Sequence, residues 1–325
     1  MTFLKVSDLA VEFTVDKKTV TPISDVSFEM EPGEVLGLVG ESGSGKSLTA
    51  HAIMGLTPLV GGKVSGTVQF GDKNLLAMSS DEMQTVRGAK ISFIPQNPMT
   101  SLDPVYRVGD QIVEGLRKHL DINKWDAKKQ ALILMEQLRI PNPERVYEQY
   151  PHQLSGGLKQ RIVIAIGMGT NPELLIADEP TTALDVTVQA QIMRLFKELT
   201  TSKGIGLLLI THDLGVIAQV CNKIAVMYAG NLVEYGEIGT VFKDPQHPYT
   251  KALLDCIPYI GMKKGSLSAI DGNVPTGGNF PSGCRYQPRC PFTMPVCKTH
   301  MPQMMEIGGV AKVACHKYAQ KTVPA

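Results

Sequence analysis

Gly40, Glu41, Ser42, Gly43, Ser44, Gly45, Lys46 and Ser47 are consecutive, and their types and order suit the binding of a polyphosphate. The three glycines let the backbone curl until successive N–H groups face one anion, and a helix starting at the end of the loop adds its positive terminus. Lys46 would reach the outer phosphates as a point charge, and the Ser47 hydroxyl would be a ligand of the Mg²⁺ that bridges them. The flanking residues meet the positional requirement of this chemistry. Val35–Val39 is an apolar run of strand type and residues 48–54 suit a helix, so the glycines lie between strand and helix.

Further chemistry follows along the chain. Residues 174–177 are apolar and precede Asp178 and Glu179. Asp178 would emerge from the end of a core strand to hold Mg²⁺ through water, and Glu179 would polarise an attacking water. Ser155 stands before Gly156 and Gly157 at the start of an apolar helical run. It is expected to cap that helix, and the two glycines leave backbone N–H groups for a second anion. The chain thus has two phosphate-type sites for one nucleotide. Residues 182–185 follow the acidic pair directly, His212 ends a later strand where an imidazole can meet an outermost phosphate, and Gln96 follows the short strand Ile91–Ile94 with an amide able to sense metal and water. Taken singly, Ser-Gly-Gly is most often only a cap and His212 an ordinary polar strand end. Their order along the chain is what makes them specific.

The elements that must position these groups read as an α/β protein. Residues 4–13 and 23–30 alternate and are expected to form antiparallel strands, with further strand material at residues 64–70. From about residue 97 to 161 the pattern turns helical: Ala131, Leu134, Met135 and Leu138 fall at i, i+3, i+4 and i+7, with Asp126 as the expected N-cap. Apolar strands return at 174–177, 206–210 and 224–228 between helical segments, the pattern of a parallel sheet. Beyond about Asp244, prolines, glycines and cysteines become dense and the periodicity fades. With 325 residues, 43% hydrophobic and 19% charged, the composition fits one large domain plus an extension. A net charge of +1, with basic residues spread along the chain, argues against a nucleic-acid surface. No apolar run approaches the roughly 18 residues of a membrane span, and the first residues lack the apolar core of a signal peptide, so a cytoplasmic location is expected. Six cysteines in such a compartment are expected as buried thiols or metal ligands.

On these motifs the chain resembles the ABC-type ATPases over residues 1–243, with Walker A at Gly40–Ser47, the Q-loop at Gln96, the signature at Leu154–Leu158, Walker B at Leu174–Glu179, the D-loop at Ala183–Asp185 and the H-loop at His212. The resemblance implies a P-loop NTPase (RecA-like) core with an antiparallel β subdomain and a helical insert over about 97–161. It implies ATP and Mg²⁺ as cofactors, bound by Ser42 to Leu48, Asp178 and Asp185, with Mg²⁺ held by Ser47, Gln96 and Asp178. Glu179 is then the general base and His212 the stabiliser of the leaving γ-phosphate. Phe13 stands about where the family stacks an aromatic on adenine; a core role is the other reading. Two subunits would stack head to tail, Ser155, Gly156 and Gly157 of one covering the nucleotide of the other. Leu158 departs from the glutamine usual at the last signature position, and activity is expected to survive the change.

Residues 244–254, which include His247, Pro248, Tyr249 and Thr250, resemble the extension on ATPases of oligopeptide and dipeptide importers. That resemblance implies two membrane permease subunits, an extracytoplasmic solute-binding protein and a second related ATPase, with this chain at the cytoplasmic face of the membrane. Nickel or oligosaccharide importers, and soluble ABC proteins, are the alternatives. Cys284, Cys290, Cys297 and Cys315 then follow in a segment too short for a good core, which suits a stapling metal site, zinc or iron–sulfur. The resemblance favours a [4Fe–4S] cluster. Cys221 and Cys256 lie outside this spacing and are expected as buried thiols.

Overall fold

Apolar–polar alternation in the first thirty residues builds a long hairpin in the computed structural model, which describes residues 3–181, 184–257, 269–275, 278–309 and 311–319. Strands β1 (Leu4–Val15) and β2 (Lys18–Met30) pair antiparallel, Leu4 opposite Met30 and Val15 opposite Lys18. Asp16 and Lys17 turn the chain with φ of 49° and 63°, the left-handed pair that matches strand twist. Leu4, Val6, Leu9 and Val11 face Ile23, Val26, Phe28 and Met30 in a buried layer. Strand β3 (Val35–Val39) is buried throughout and feeds the glycine loop, after which helix α1 (Lys46–Ile53) begins. Strands β4 (Lys63–Phe70) and β5 (Lys73–Asn74) complete an antiparallel sheet of order β2-β1-β4-β5.

These elements belong to the first of two compact units, Met1–Glu31, Leu36–Ala77 and Thr211–Ala325; the second comprises Pro32–Val35 and Met78–Ile210. The second unit opens with α2 (Ser80–Val86), capped reciprocally by Ser79 and Glu82. Strand β6 (Ile91–Ile94) has the bounds expected for it. The helical stretch then resolves into α3 (Pro98–Ser101), α4 (Val108–His119), α5 (Lys124–Gln137), α6 (Pro143–Tyr147) and α7 (Gly156–Met168). Ala131, Leu134, Met135 and Leu138 are all buried, as their spacing requires. The cap of α5 is Asn123 and not Asp126: the Asn123 side chain accepts the Asp126 N–H at 3.0 Å, one turn earlier than expected. Strand β7 (Leu174–Asp178), helix α8 (Val186–Lys203) and strand β8 (Gly206–Ile210) follow, and β6, β7 and β8 pair in parallel, Ile94 opposite Ala177 and Asp178 opposite Ile210.

The chain returns to the first unit with α9 (Leu214–Val220) and β9 (Lys223–Tyr228), which lies parallel to β3 with Ala225 opposite Leu38. Strand β10 (Asn231–Glu237) hairpins back on β9 and is followed by α10 (Ile238–Lys243), α11 (Pro248–Asp255) and α12 (Pro295–Thr299). Strands β11 (Met305–Ile307) and β12 (Ala311–Val313) and helix α13 (His316–Ala319) are the last elements among the described residues. β12 pairs with β10, Val313 opposite Glu234, so the extension adds two short strands to the sheet that carries β9 and β3.

Candidate functional site

In the first unit the glycine loop has the backbone that its residue types demand. Gly40, Gly43 and Gly45 have φ of 153°, 77° and 101°. A Cβ on Gly40 would overlap the Met227 carbonyl oxygen and sit 2.8 Å from Ser44 Oγ, so no other residue fits there. The loop is tied internally by Ser44 N–H to the Glu41 carbonyl at 3.1 Å, and Gly45 caps α1 from the left-handed region. Helix α1 starts at Lys46, so its positive N-terminal end lies at the loop, as an anion site requires. Lys46 is 5% exposed, and its ammonium donates to the Gly40 and Glu41 carbonyls at 2.8 and 3.0 Å. The cradle fits a phosphate, with the lysine held over it. Ser42 is exposed and Ser47 half-buried. His212 is exposed, one residue after Thr211, whose N–H donates to Leu38 at 3.3 Å. Phe13 is half-buried on β1, its ring so close to Gly62 that a Cβ there would lie 2.9 Å from it.

In the second unit Asp178 ends β7 and is buried, and Glu179 follows in the left-handed region with φ of 43°. A non-glycine residue in that region stores strain and is held only where neighbours over-determine it. Two neighbours do so: the Glu179 N–H donates to Ile210 at 2.8 Å, and Gln96 Nε2 donates to Glu179 Oε2 at 2.8 Å. Two expected site residues 83 positions apart are therefore in direct contact. Ser155 caps α7 as expected, its hydroxyl accepting the Leu158 N–H at 3.4 Å. The cap uses the backbone of position 158 and not its side chain, so leucine there leaves it intact. Ser155 and Gly156 are exposed, and Gly157 lies against Val188. Asp185 is exposed and caps α8 through Val188 N–H at 2.9 Å; Ala183 falls outside the described residues.

Sequence reasoning missed what the extension does to the glycine loop. His247 begins α11, its Nδ1 accepting the Tyr249 N–H at 3.1 Å, and Glu234 accepts the N–H groups of Gln246 and His247 at 2.8 and 2.9 Å. Burial pushes the imidazole down to about 3, so it is neutral. This fixes Tyr249, fully buried, with its hydroxyl accepting the Glu41 N–H at 2.9 Å. The Glu41 carboxylate meets Arg289 in a bidentate pair, 2.9 and 3.1 Å.

A family model described as ABC transporter matches residues 23–182, and one described as Oligopeptide/dipeptide transporter, C-terminal region, matches 233–297. The oligopeptide transport ATP-binding protein AppD of Bacillus subtilis is 43% identical over 321 residues, 98% of each chain. The dipeptide transport ATP-binding protein DppD of the same organism is 48% identical over 300 residues, 92% of this chain and 90% of its own. The chain belongs to the peptide-transporter ATP-binding family. Among solved structures, the ATP-binding cassette MJ0796, in a dimeric post-hydrolysis state bound to ADP and Pi, is similar with a TM-score of 0.66 and 26% identity, over 72% of this chain and 98% of that one. The fold is that of a P-loop ATPase cassette, as the motifs implied. The protein is an ATP-binding subunit of a peptide importer, its reaction is ATP hydrolysis coupled to transport, and its cofactors are ATP and Mg²⁺. No helix among the described residues is long and apolar enough to cross a membrane.

The four cysteines of this transporter ATPase's extension are brought into one neighbourhood. Burial first, and then the proximity of Cys297, Cys315 and Cys290, raise the Cys284 thiol to about 11. Backbone N–H groups two residues on, at Tyr286, Phe292 and Lys317, act on Cys284, Cys290 and Cys315 in the opposite sense, favouring thiolate. The donor chemistry fits a soft metal. Among the described residues, however, no three Cys, His, Asp or Glu side chains stand where they could hold an ion, so the expected [4Fe–4S] cluster gains no support from the geometry. Cys221 is buried as expected, whereas Cys256 is only partly so.

Proposed function

We propose that Gly40–Ser47 and Leu48 bind the ATP phosphates with Lys46 as their cation, that Ser47, Gln96 and Asp178 serve Mg²⁺, and that Glu179 is the general base with His212 stabilising the γ-phosphate. The observation that carries this reading is the hydrogen bond from Gln96 to a Glu179 held at φ 43°. One carboxylate oxygen is engaged by the amide, which fixes the direction of the carboxylate at the end of β7. Phe13 offers adenine a half-buried ring. Ser155, Gly156 and Gly157, with Asp185, present exposed caps suited to a second ATPase subunit, and the dimeric state of the similar MJ0796 cassette supports that pairing. Residues 1–243 act as the ATPase domain and 244–325 as its extension. The chain works peripherally at the cytoplasmic face beneath two permease subunits, supplied by an extracytoplasmic solute-binding protein. Cys284, Cys290, Cys297 and Cys315 close around a [4Fe–4S] cluster, which would staple the extension and take no part in hydrolysis.

The test is Glu179→Gln in the complex purified with its membrane subunits. Hydrolysis is expected to fall about 10³-fold, the scale of a lost general base, with ATP binding retained. Hydrolysis at the parental rate would remove Glu179 from the role, and failure to co-purify any membrane protein would remove the partners.

A further inference from the structure

We propose that Arg289, together with Tyr249, is a positioning residue for the phosphate loop, acting through Glu41, so that the C-terminal extension sets the affinity for nucleotide. The inference rests on the reading of Gly40–Ser47 as the phosphate loop. Glu41 is the second residue of that loop and is held at both ends, its N–H by the Tyr249 hydroxyl at 2.9 Å and its carboxylate by both terminal nitrogens of Arg289. The Glu41 carbonyl in turn accepts from the Lys46 ammonium at 3.0 Å, so the anchor reaches the lysine in one step.

Arg289 is itself immobilised. Its side chain is 5% exposed, and it donates to the carbonyls of Asp271 and Ile270 at 2.7 and 3.1 Å and to the Tyr228 hydroxyl at 3.4 Å. Every face of the guanidinium fork is committed, which gives the pair a fixed direction that lysine could not reproduce. A second line runs parallel to it. Gly230 N–H donates to the Ser44 carbonyl at 2.8 Å, and the preceding Ala229 carbonyl accepts from Arg285, whose guanidinium also donates to Thr21 at 3.2 Å. Between the two arginines, Tyr286 packs its ring on Tyr228 and Tyr249, with centroids 5.0 and 5.3 Å away. The six residues that follow Cys284 thus supply two cations and one ring, all directed at the loop or the turn that supports it. A loop so anchored enters nucleotide binding already ordered, and a loop released from Arg289 must pay the ordering at that moment.

The experiment measures MgADP affinity by titration calorimetry on the full chain, with ATPase kinetics beside it. Arg289→Gln is expected to weaken affinity about tenfold, the equivalent of ordering roughly one backbone residue, with kcat at saturating ATP unchanged. Arg289→Lys is expected to recover only part of the loss. The Glu41→Gln/Arg289→Gln double variant should be no weaker than Arg289→Gln alone, because the two changes break one interaction. Tyr249→Phe removes only a hydroxyl and is expected to weaken affinity about threefold to tenfold, which keeps the test open if Arg289→Gln fails to fold. Parental affinity in both Arg289→Gln and Tyr249→Phe, or a double variant weaker than Arg289→Gln alone, would overturn the proposal. Lys46→Ala tests the loop reading separately: lost binding there beside parental affinity in the other two would overturn the anchor and leave the loop standing.

Discussion

Acidification should loosen helix α11 through one side chain, His247, and the size of the effect follows from its surroundings. The imidazole is 1% exposed and caps the helix with Nδ1 as acceptor, a role that protonation at that nitrogen abolishes. Burial lowers its pKa from 6.5 to about 3. A depressed imidazole contributes stability that is complete above the pKa of the opened state and is lost as pH falls from about 6.5 toward 3. One unit below the opened-state value, near pH 5.5, protonation favours opening by about 1.4 kcal/mol, or tenfold. Glu234, which accepts the His247 N–H, works the other way. Burial raises its carboxyl above the ordinary value, so its contribution grows as pH falls. The comparison that isolates the imidazole is therefore parent against His247→Asn, which keeps Glu234 and retains a good capping acceptor without a titrating ring. Hydrogen exchange of the α11 amides, corrected for intrinsic rate, reads local opening directly. Parental protection should fall about tenfold more than that of the variant between about pH 7.5 and 5.5. Equal slopes in the two proteins would refute the reasoning.

Gly40→Ala should abolish nucleotide binding by at least about a hundredfold, since the new Cβ meets the Met227 carbonyl, a backbone atom that cannot yield, at a φ of 153°; calorimetric titration of MgATP checks this. Anaerobically purified chain is expected to carry iron and acid-labile sulfide in stoichiometric amounts and to lose both in Cys290→Ser. Iron-free, colourless protein with four reactive thiols would exclude the cluster.

What was legible in the sequence was what neighbouring residues specify. β3, β6 and β8 came out with their expected bounds because each is a short apolar run, the first ended by Gly40 and the second by Pro95. The loop was legible for the same reason: Gly40, Gly43 and Gly45 declare a backbone that only glycine adopts easily. Ser155 declared itself as a cap by standing before a helical run, although Asp126 shows the limit of that signal, since Asn123 three residues earlier took the cap and left Asp126 as the donor.

The remainder depends on residues far apart in the chain. β12 has three residues, too few for any period to show, and it is a strand because β10 offers an edge beside it. The left-handed backbone of Glu179 has no local cause, and Gln96 and Ile210, from elsewhere in its unit, hold it there. Glu41 shows the same division within one loop. Its neighbours Gly40 and Lys46 have types that state their work, because backbone geometry and phosphate charge select them wherever such a loop occurs. A carboxylate beside a phosphate site has no such local reason and by charge alone is unfavourable there. It becomes intelligible only with Arg289, 248 positions later, which neutralises it and converts a repulsive group into an anchor.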